Sequence, residues 1–166
     1  MDVVLNLKQL QERIAVVAKR AGRDPAEIKL VAVTKNVIIE NIRAVLACGV
    51  TRLGENRVQE LLSKYDQLPA EVEWHFIGHL QTNKVNKIID KVSLIHSLDR
   101  WTLAEALNRA AIAKGIVCKV LVQVNVAGET TKFGLEPIET VDFIMATRDL
   151  PGIEVVGLMT IAPWSA

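Results

Sequence analysis

Lys29-Leu-Val-Ala-Val-Thr-Lys35 is the stretch on which the fold turns. Its five central residues are apolar or small, and Val31, Val33 and Thr34 are β-branched, which predicts a strand covered on both faces. Strands of that kind belong to parallel sheets with helices packed outside them. Lys35 then falls at the carboxyl end of the strand, where α/β folds gather their chemistry. An amine held against an apolar sheet loses part of its hydration. That disfavours the ammonium form and frees the amine to attack a carbonyl as a Schiff-base nucleophile. From this stretch alone, a lysine that simply leaves the strand for solvent is the simpler reading.

Working outward, the pattern repeats. Before the strand, Leu7, Leu10, Ile14, Val17 and Ala21 line one face of a helix over 3–21, which Gly22 and Asp24-Pro25 bring to an end. After it, Ile38, Ile42, Val45 and Leu46 mark a helix closing at Gly49. A short second strand follows over 51–55, then a helix with Val58, Leu61, Leu62 and Tyr65. A third strand spans 73–78. Thr82 or Asn83 is placed to cap a helix carrying Val85, Ile88 and Ile89. The fourth strand is 93–97, and Asp99 is placed to cap a helix over 100–114. The fifth strand is 118–126. Pro137 suits the first turn of a helix through Ile138, Val141, Ile144 and Met145. The sixth strand is 154–161.

Strands alternating with helices at this spacing predict parallel βα units. Two architectures fit: an open doubly wound sheet, or part of a (β/α)8 barrel of the TIM type. No Gly-x-Gly-x-x-Gly follows any strand, which weakens the dinucleotide-binding version. The polar residues at strand ends are Lys35, Glu55 with Asn56, His79 with Gln81, Ser97 with Asp99, Asn125, and Met159 with Thr160. In a barrel these would meet over one mouth.

Composition narrows the classes. The chain has 166 residues, 50% of them hydrophobic, enough for one domain (1–166) with a substantial core. A net charge of +1 argues against nucleic acid as a partner. Cys48 and Cys118 are expected as small buried thiols without a disulfide framework. The N-terminus shows no signal-peptide pattern, and no apolar run is long enough to span a membrane. A cytoplasmic location is the resulting expectation.

Six segments, taken together, carry a resemblance: Ala32-Val-Thr-Lys35, Leu53-Gly-Glu-Asn-Arg-Val-Gln-Glu60, Trp74-His-Phe-Ile-Gly-His-Leu-Gln-Thr-Asn-Lys84, Val122-Gln-Val-Asn125 with Gly128-Glu129, Lys132-Phe-Gly-Leu135, and Gly157-Leu-Met-Thr-Ile-Ala162. In this order, each at a strand end, they resemble the pyridoxal phosphate (PLP) homeostasis protein family, whose barrel is similar to the N-terminal domain of alanine racemase. The resemblance implies an alanine racemase-like barrel of which this chain carries about six of eight strands. It implies that Lys35 holds PLP as an internal aldimine, with Asn56, His79, Asn125 and Met159 as further cofactor-binding residues at the mouth. It also implies a monomer without established turnover that keeps free PLP low and hands it to PLP-dependent apoenzymes.

The chain closes with Pro163-Trp164-Ser165-Ala166, whereas the family continues with two more strands. Those later segments carry the phosphate-binding hydroxyl and backbone amides, and the arginine near the pyridine nitrogen. The expectation is therefore of a truncated barrel with strands one and six as open edges, which invite self-association.

Other residues have simpler roles. His75 and His79 alternate along one strand, but no third zinc ligand is identifiable. His75 is expected to be hydrogen-bonded and His96 to be a satisfied core histidine. Glu55 is placed to pair with Lys35 or Arg57, or to act as an acid or base. Asn125 on an apolar strand needs a hydrogen-bond partner. Trp74, Trp101 and Trp164 are read as packing residues. Two enzyme readings stand beside the carrier. A racemase needs a second acid/base group opposite the lysine, and the single tyrosine, Tyr65, lies on a helix. A Schiff-base aldolase would use Lys35 directly on a substrate carbonyl, without PLP.

Overall fold

The computed structural model describes residues 3–129 and 132–161. It begins with α1 (Val3–Arg20), followed by a short turn in which Asp24 Oδ1 accepts from the Ala26 N–H at 2.9 Å. β1 (Ala32–Val33), α2 (Ile39–Ala47), β2 (Arg52–Glu55), α3 (Val58–Tyr65) and β3 (Glu73–Phe76) come next. Then follow α4 (Val85–Ile88), β4 (Leu94–Leu98), α5 (Trp101–Lys114), β5 (Cys118–Gln123), α6 (Thr140–Thr147) and β6 (Ile153–Met159).

The six strands form one sheet in the order β1-β2-β3-β4-β5-β6, and every pair is parallel. That order decides between the two architectures. A doubly wound sheet reverses direction at a switch point and places an early strand in the middle. Here each βα unit adds its strand on the same side as the last, which is how a (β/α)8 barrel is built. Register shifts within the β4–β5 and β5–β6 pairs break the ladder locally, as bulges do in bending sheets.

The alternation of side chains sorts the sheet into two faces. Leu53, Trp74, Phe76, Ile95, Val120 and Val122 face the helices and are at most 2% exposed. They pack with Ile42, Leu61, Ile88, Leu103 and Leu107 in one apolar cluster. The opposite, inward face carries Val31, Gly54 and Ile77, so close that a Cβ on Gly54 would sit 3.1 Å from Ile77 Cδ1 and 3.2 Å from Val31 Cγ1. Leu121 and Gly157 meet on that face in the same way.

Several sequence expectations are corrected. The stretch 29–35 is not covered on both faces: its ladder is only Ala32–Val33, paired with β2 alone, and Val33 is 49% exposed. Its composition is that of a central strand, whereas β1 is an edge, as is β6, which agrees with the open edges expected. Asp99 does not cap α5. Arg100 is at that position, and Asp99 instead accepts from the Arg100 guanidinium at 2.5 Å. α4 is a single turn preceded by the 3₁₀ turn Thr82–Lys84, and neither Thr82 nor Asn83 caps it. β5 ends at Gln123, not Val126, because Asn125 N–H donates to Leu135 O at 2.9 Å and Val124 bridges to Leu135. Trp164 lies outside the described residues.

Other expectations hold. Cys48 and Cys118 are free thiols, of which Cys118 is buried as expected and Cys48 only half-buried, and burial pushes Cys118 up to about 12. Trp74 is buried, while Trp101, 40% exposed, packs edge-on against Phe143. Among the described residues, no helix is long and apolar enough to cross a membrane.

His75 and His96 form a pair across β3 and β4, with Nδ1 and Nε2 at 2.8 Å. Burial pulls His96 down to about 4, with the neighbouring His75 as a second cause, and burial also lowers His75. In the unfolded chain both imidazoles take up protons near 6.5. Between that value and about 4 the unfolded chain therefore binds protons that the folded chain refuses. Stability is full above pH 6.5 and falls as pH falls. Denaturant midpoints measured from pH 7.5 to 4.5 should drop across this window. His96→Gln, which keeps a neutral partner for His75, should flatten that drop, and an equal slope in the variant would refute the assignment.

Candidate functional site at the carboxyl ends of the strands

Val31 and Val33 lie on the inward face, and Lys35 follows in the turn that succeeds β1, one residue past Thr34. The side chain of Thr34 is buried, 3% exposed, on the helix-facing side. Lys35 is exposed. The expected desolvation against the sheet is not found, because Lys35 lies in the turn that follows β1 and is exposed there. Among the described residues no hydrogen bond or ion pair engages the Lys35 side chain. Arg52, Lys64 and Arg100, by contrast, are all paired with carboxylates.

The chain on both sides of Lys35 is tightly held. Lys64, on α3 and 8% exposed, donates to Thr34 O at 2.7 Å and to Glu55 Oε1 at 2.6 Å. The Thr34 hydroxyl donates to the same Glu55 oxygen at 2.7 Å. Glu55 is fully buried, and its Oε2 has no partner among the described residues. Asn36 has a positive φ of 58°, and its N–H donates to Glu60 Oε2 at 2.9 Å. That bond, more than the nearby Lys64 and Arg57, holds the Glu60 carboxyl below the usual range. The expected partner of Glu55 is thereby corrected. It pairs with Lys64, and Arg57 turns to Glu60 at 3.6 Å.

The remaining candidates stand at the ends of other strands. Asn56 follows β2 and is half-buried. The backbone of Gly78 passes so close to it that a Cβ there would lie 2.2 Å from Asn56 O. His79 places Nδ1 3.4 Å from Asp99 Oδ2 and stacks on Phe133, with ring centroids 3.9 Å apart. Asn56 and His79 border one cavity of about 300 Å³, together with Phe76, Gln81, Lys84 and the first turn of α3. Asn125 finds the partner its position demands by donating from Nδ2 to Glu129 O at 2.9 Å. Met159 pairs with Gln123 in the ladder and borders a separate groove of about 310 Å³ against α6. His75 and His79 do not act together, since His75 turns to His96.

Sequence reasoning missed Lys64, Glu60, Thr34 and Asn36. One signal was available: Lys64 lies three residues after Leu61, on the apolar stripe of α3, where a charge needs a buried partner.

A parallel sheet wound in sequence order, with a lysine just past its first strand, is of the (β/α)8-barrel class. The family model described as alanine racemase, N-terminal domain, matches residues 5–166. An Aquifex aeolicus protein named pyridoxal phosphate homeostasis protein is 47% identical over 165 residues, which are 99% of this chain and 72% of the relative. The Escherichia coli protein of the same name is 35% identical over 164 residues, 96% of this chain and 70% of the relative. A solved structure of an unknown protein from Bifidobacterium adolescentis superposes with a TM-score of 0.91 at 35% identity, covering 96% of this chain and 69% of that one. The structure of PipY from Synechococcus elongatus with PLP bound superposes with a TM-score of 0.76 at 34% identity, covering 92% and 72%. The chain belongs to the pyridoxal phosphate homeostasis protein family.

The contact at Gly78 is testable. Gly78→Ala must push the backbone of residues 56 and 78 apart, and overpacking of this kind costs about 1–3 kcal/mol. Chemical denaturation should show a clear loss of stability, and a midpoint equal to that of the parent would contradict the contact.

Proposed function

We propose that this chain is a carrier of PLP that holds the cofactor as a Schiff base on Lys35 and catalyses no turnover of its own. The observation that carries the reading is the free amine of Lys35. It stands just past β1, exposed and, among the described residues, without a hydrogen-bond or ion-pair partner, between two residues whose backbone is fixed. The residues present suit the group. The neutral amine adds to an aldehyde carbonyl and water leaves, so that a C=N bond replaces C=O. When bound, PLP supplies that aldehyde and an electron-withdrawing ring.

Asn56, His79, Asn125 and Met159 are the positions proposed to line the cofactor, from the ends of β2, β3, β5 and β6. Their side chains offer amide donors, an imidazole and an apolar thioether. Support for PLP as the ligand comes from the family and from the PLP-bound PipY structure. Support for the absence of turnover comes from Tyr65. Its ring packs 6.4 Å from Trp74 on the helix side, with Lys91 Nζ 4.7 Å above it, and it does not stand opposite Lys35 as an acid or base. The carrier would then release PLP to PLP-dependent apoenzymes and act within the cytoplasm.

The test is an absorbance spectrum with added PLP, before and after borohydride, with the modified peptide mapped. The expected result is a Schiff-base band reduced onto Lys35. Lys35→Ala should abolish it, and Lys84→Ala should leave it in place. A band that persists in the Lys35 variant, or turnover of a keto acid or sugar without PLP, would overturn the reading.

A further inference from the structure

The cluster formed by Thr34, Glu55, Lys64, Glu60 and Asn36 grips the chain on both sides of Lys35 and, among the described residues, makes no hydrogen bond or ion pair with the Lys35 side chain. We propose that Lys64, Glu55 and Glu60 are positioning residues for Lys35. By fixing the backbone of Thr34 and Asn36 they hold the amine just past β1 for attack on an aldehyde carbonyl. The inference rests on the reading of Lys35 as the Schiff-base lysine.

Three observations carry it. The first is expense. Glu55 is fully buried and Lys64 nearly so, and burying an ion pair costs as much as, or more than, its attraction returns. A well-packed apolar pair would hold α3 on the sheet as well. The second is aim. Lys64 Nζ makes its two short contacts with Thr34 O and Glu55 Oε1, and Glu55 accepts in turn from the Thr34 hydroxyl. The bonds therefore converge on the residue before Lys35. The third is strain. Asn36, the residue after Lys35, is the one non-glycine with positive φ among the described residues. Its N–H is secured by Glu60, which lies 3.7 Å from Lys64 Nζ, so both grips belong to one network. Backbone held in such a region persists only where its surroundings over-determine it.

The test uses Glu60→Ala, Glu60→Gln and the double variant Lys64→Met/Glu55→Leu. Three quantities are read: hydrogen exchange of the Asn36 amide, the rate of Schiff-base formation with PLP, and the rate at which formaldehyde with borohydride methylates Lys35 relative to exposed Lys119. Glu60→Ala should remove the protection of the Asn36 amide and slow Schiff-base formation by about tenfold to a hundredfold, the scale of a small misplacement of a reacting group. Glu60→Gln should restore much of both, because its amide oxygen still accepts from Asn36. The double variant should fold and show the same slowing. Should it fail to fold, the Glu60 pair still decides. Unchanged rates in folded variants would overturn the proposal and leave the cluster as packing alone. If the parent chain takes no PLP on Lys35, the Schiff-base reading fails by itself. The methylation ratio then decides: an altered Lys35 rate in Glu60→Ala supports positioning, and an equal rate overturns it.

Discussion

The buried pair between Glu55 and Lys64 constrains everything around it. A carboxylate at the end of β2 and an ammonium on α3 are both removed from water, and neither is tolerable there alone. Their 2.6 Å contact, with the Thr34 hydroxyl and carbonyl drawn in, satisfies most of that demand. It joins the end of β1 to β2 and α3 by bonds that require one register. An apolar contact would allow sliding. A bond to a backbone carbonyl does not.

That fixed register is what separates the two faces of the sheet. The helix-facing side is largely apolar from Leu53 to Val122, with Glu55 and Ser97 as buried polar exceptions, and carries the burial that holds the helices down. The inward side is built differently, with Gly54 and Gly157 opening room for Ile77 and Leu121, and His75 and His96 satisfying each other. Lys35, Asn56, His79 and Asn125 stand beyond the last ladder pairs of their strands, and Met159 is in the last pair of β6. Chemistry gathers at that end because the framework beneath it is rigid and the strand ends are free to carry polar groups.

Most of this frame was legible in the sequence. The period of the helices, the short β-branched runs between them and their even spacing placed all six strands, because in parallel βα units local pattern and tertiary position agree. The open edges at strands one and six were expected from the resemblance and are found, but composition alone did not show how exposed the first strand is. Residues 29–35 look buried because their composition is that of a central strand, yet β1 has one partner and Val33 and Lys35 are exposed. Strand-end capping was also misjudged. Asp99 has the right residue type for a helix cap but is taken by Arg100 and His79, a competition among side chains distant in sequence. The lysine at the mouth was found from its place after a strand. The groups that hold it were not, since Lys64 is one lysine among many until the fold shows it buried.

The same alternation explains why Thr34 and Lys35 cannot exchange roles. A one-residue slip of β1 would turn every side chain to the opposite face. Lys35 would then enter the space beneath α3 beside Lys64, setting two ammonium groups against the one carboxylate of Glu55 in a site of low polarity, where like charges repel strongly. Thr34 would face inward, and its hydroxyl would lose Glu55. Edge strands are where such slips are otherwise least opposed, and a ladder of two residues offers little resistance of its own. The resistance here is electrostatic and lies outside the ladder, in the buried cluster. The charges that cost most to bury thus keep the amine of Lys35 exposed just past β1.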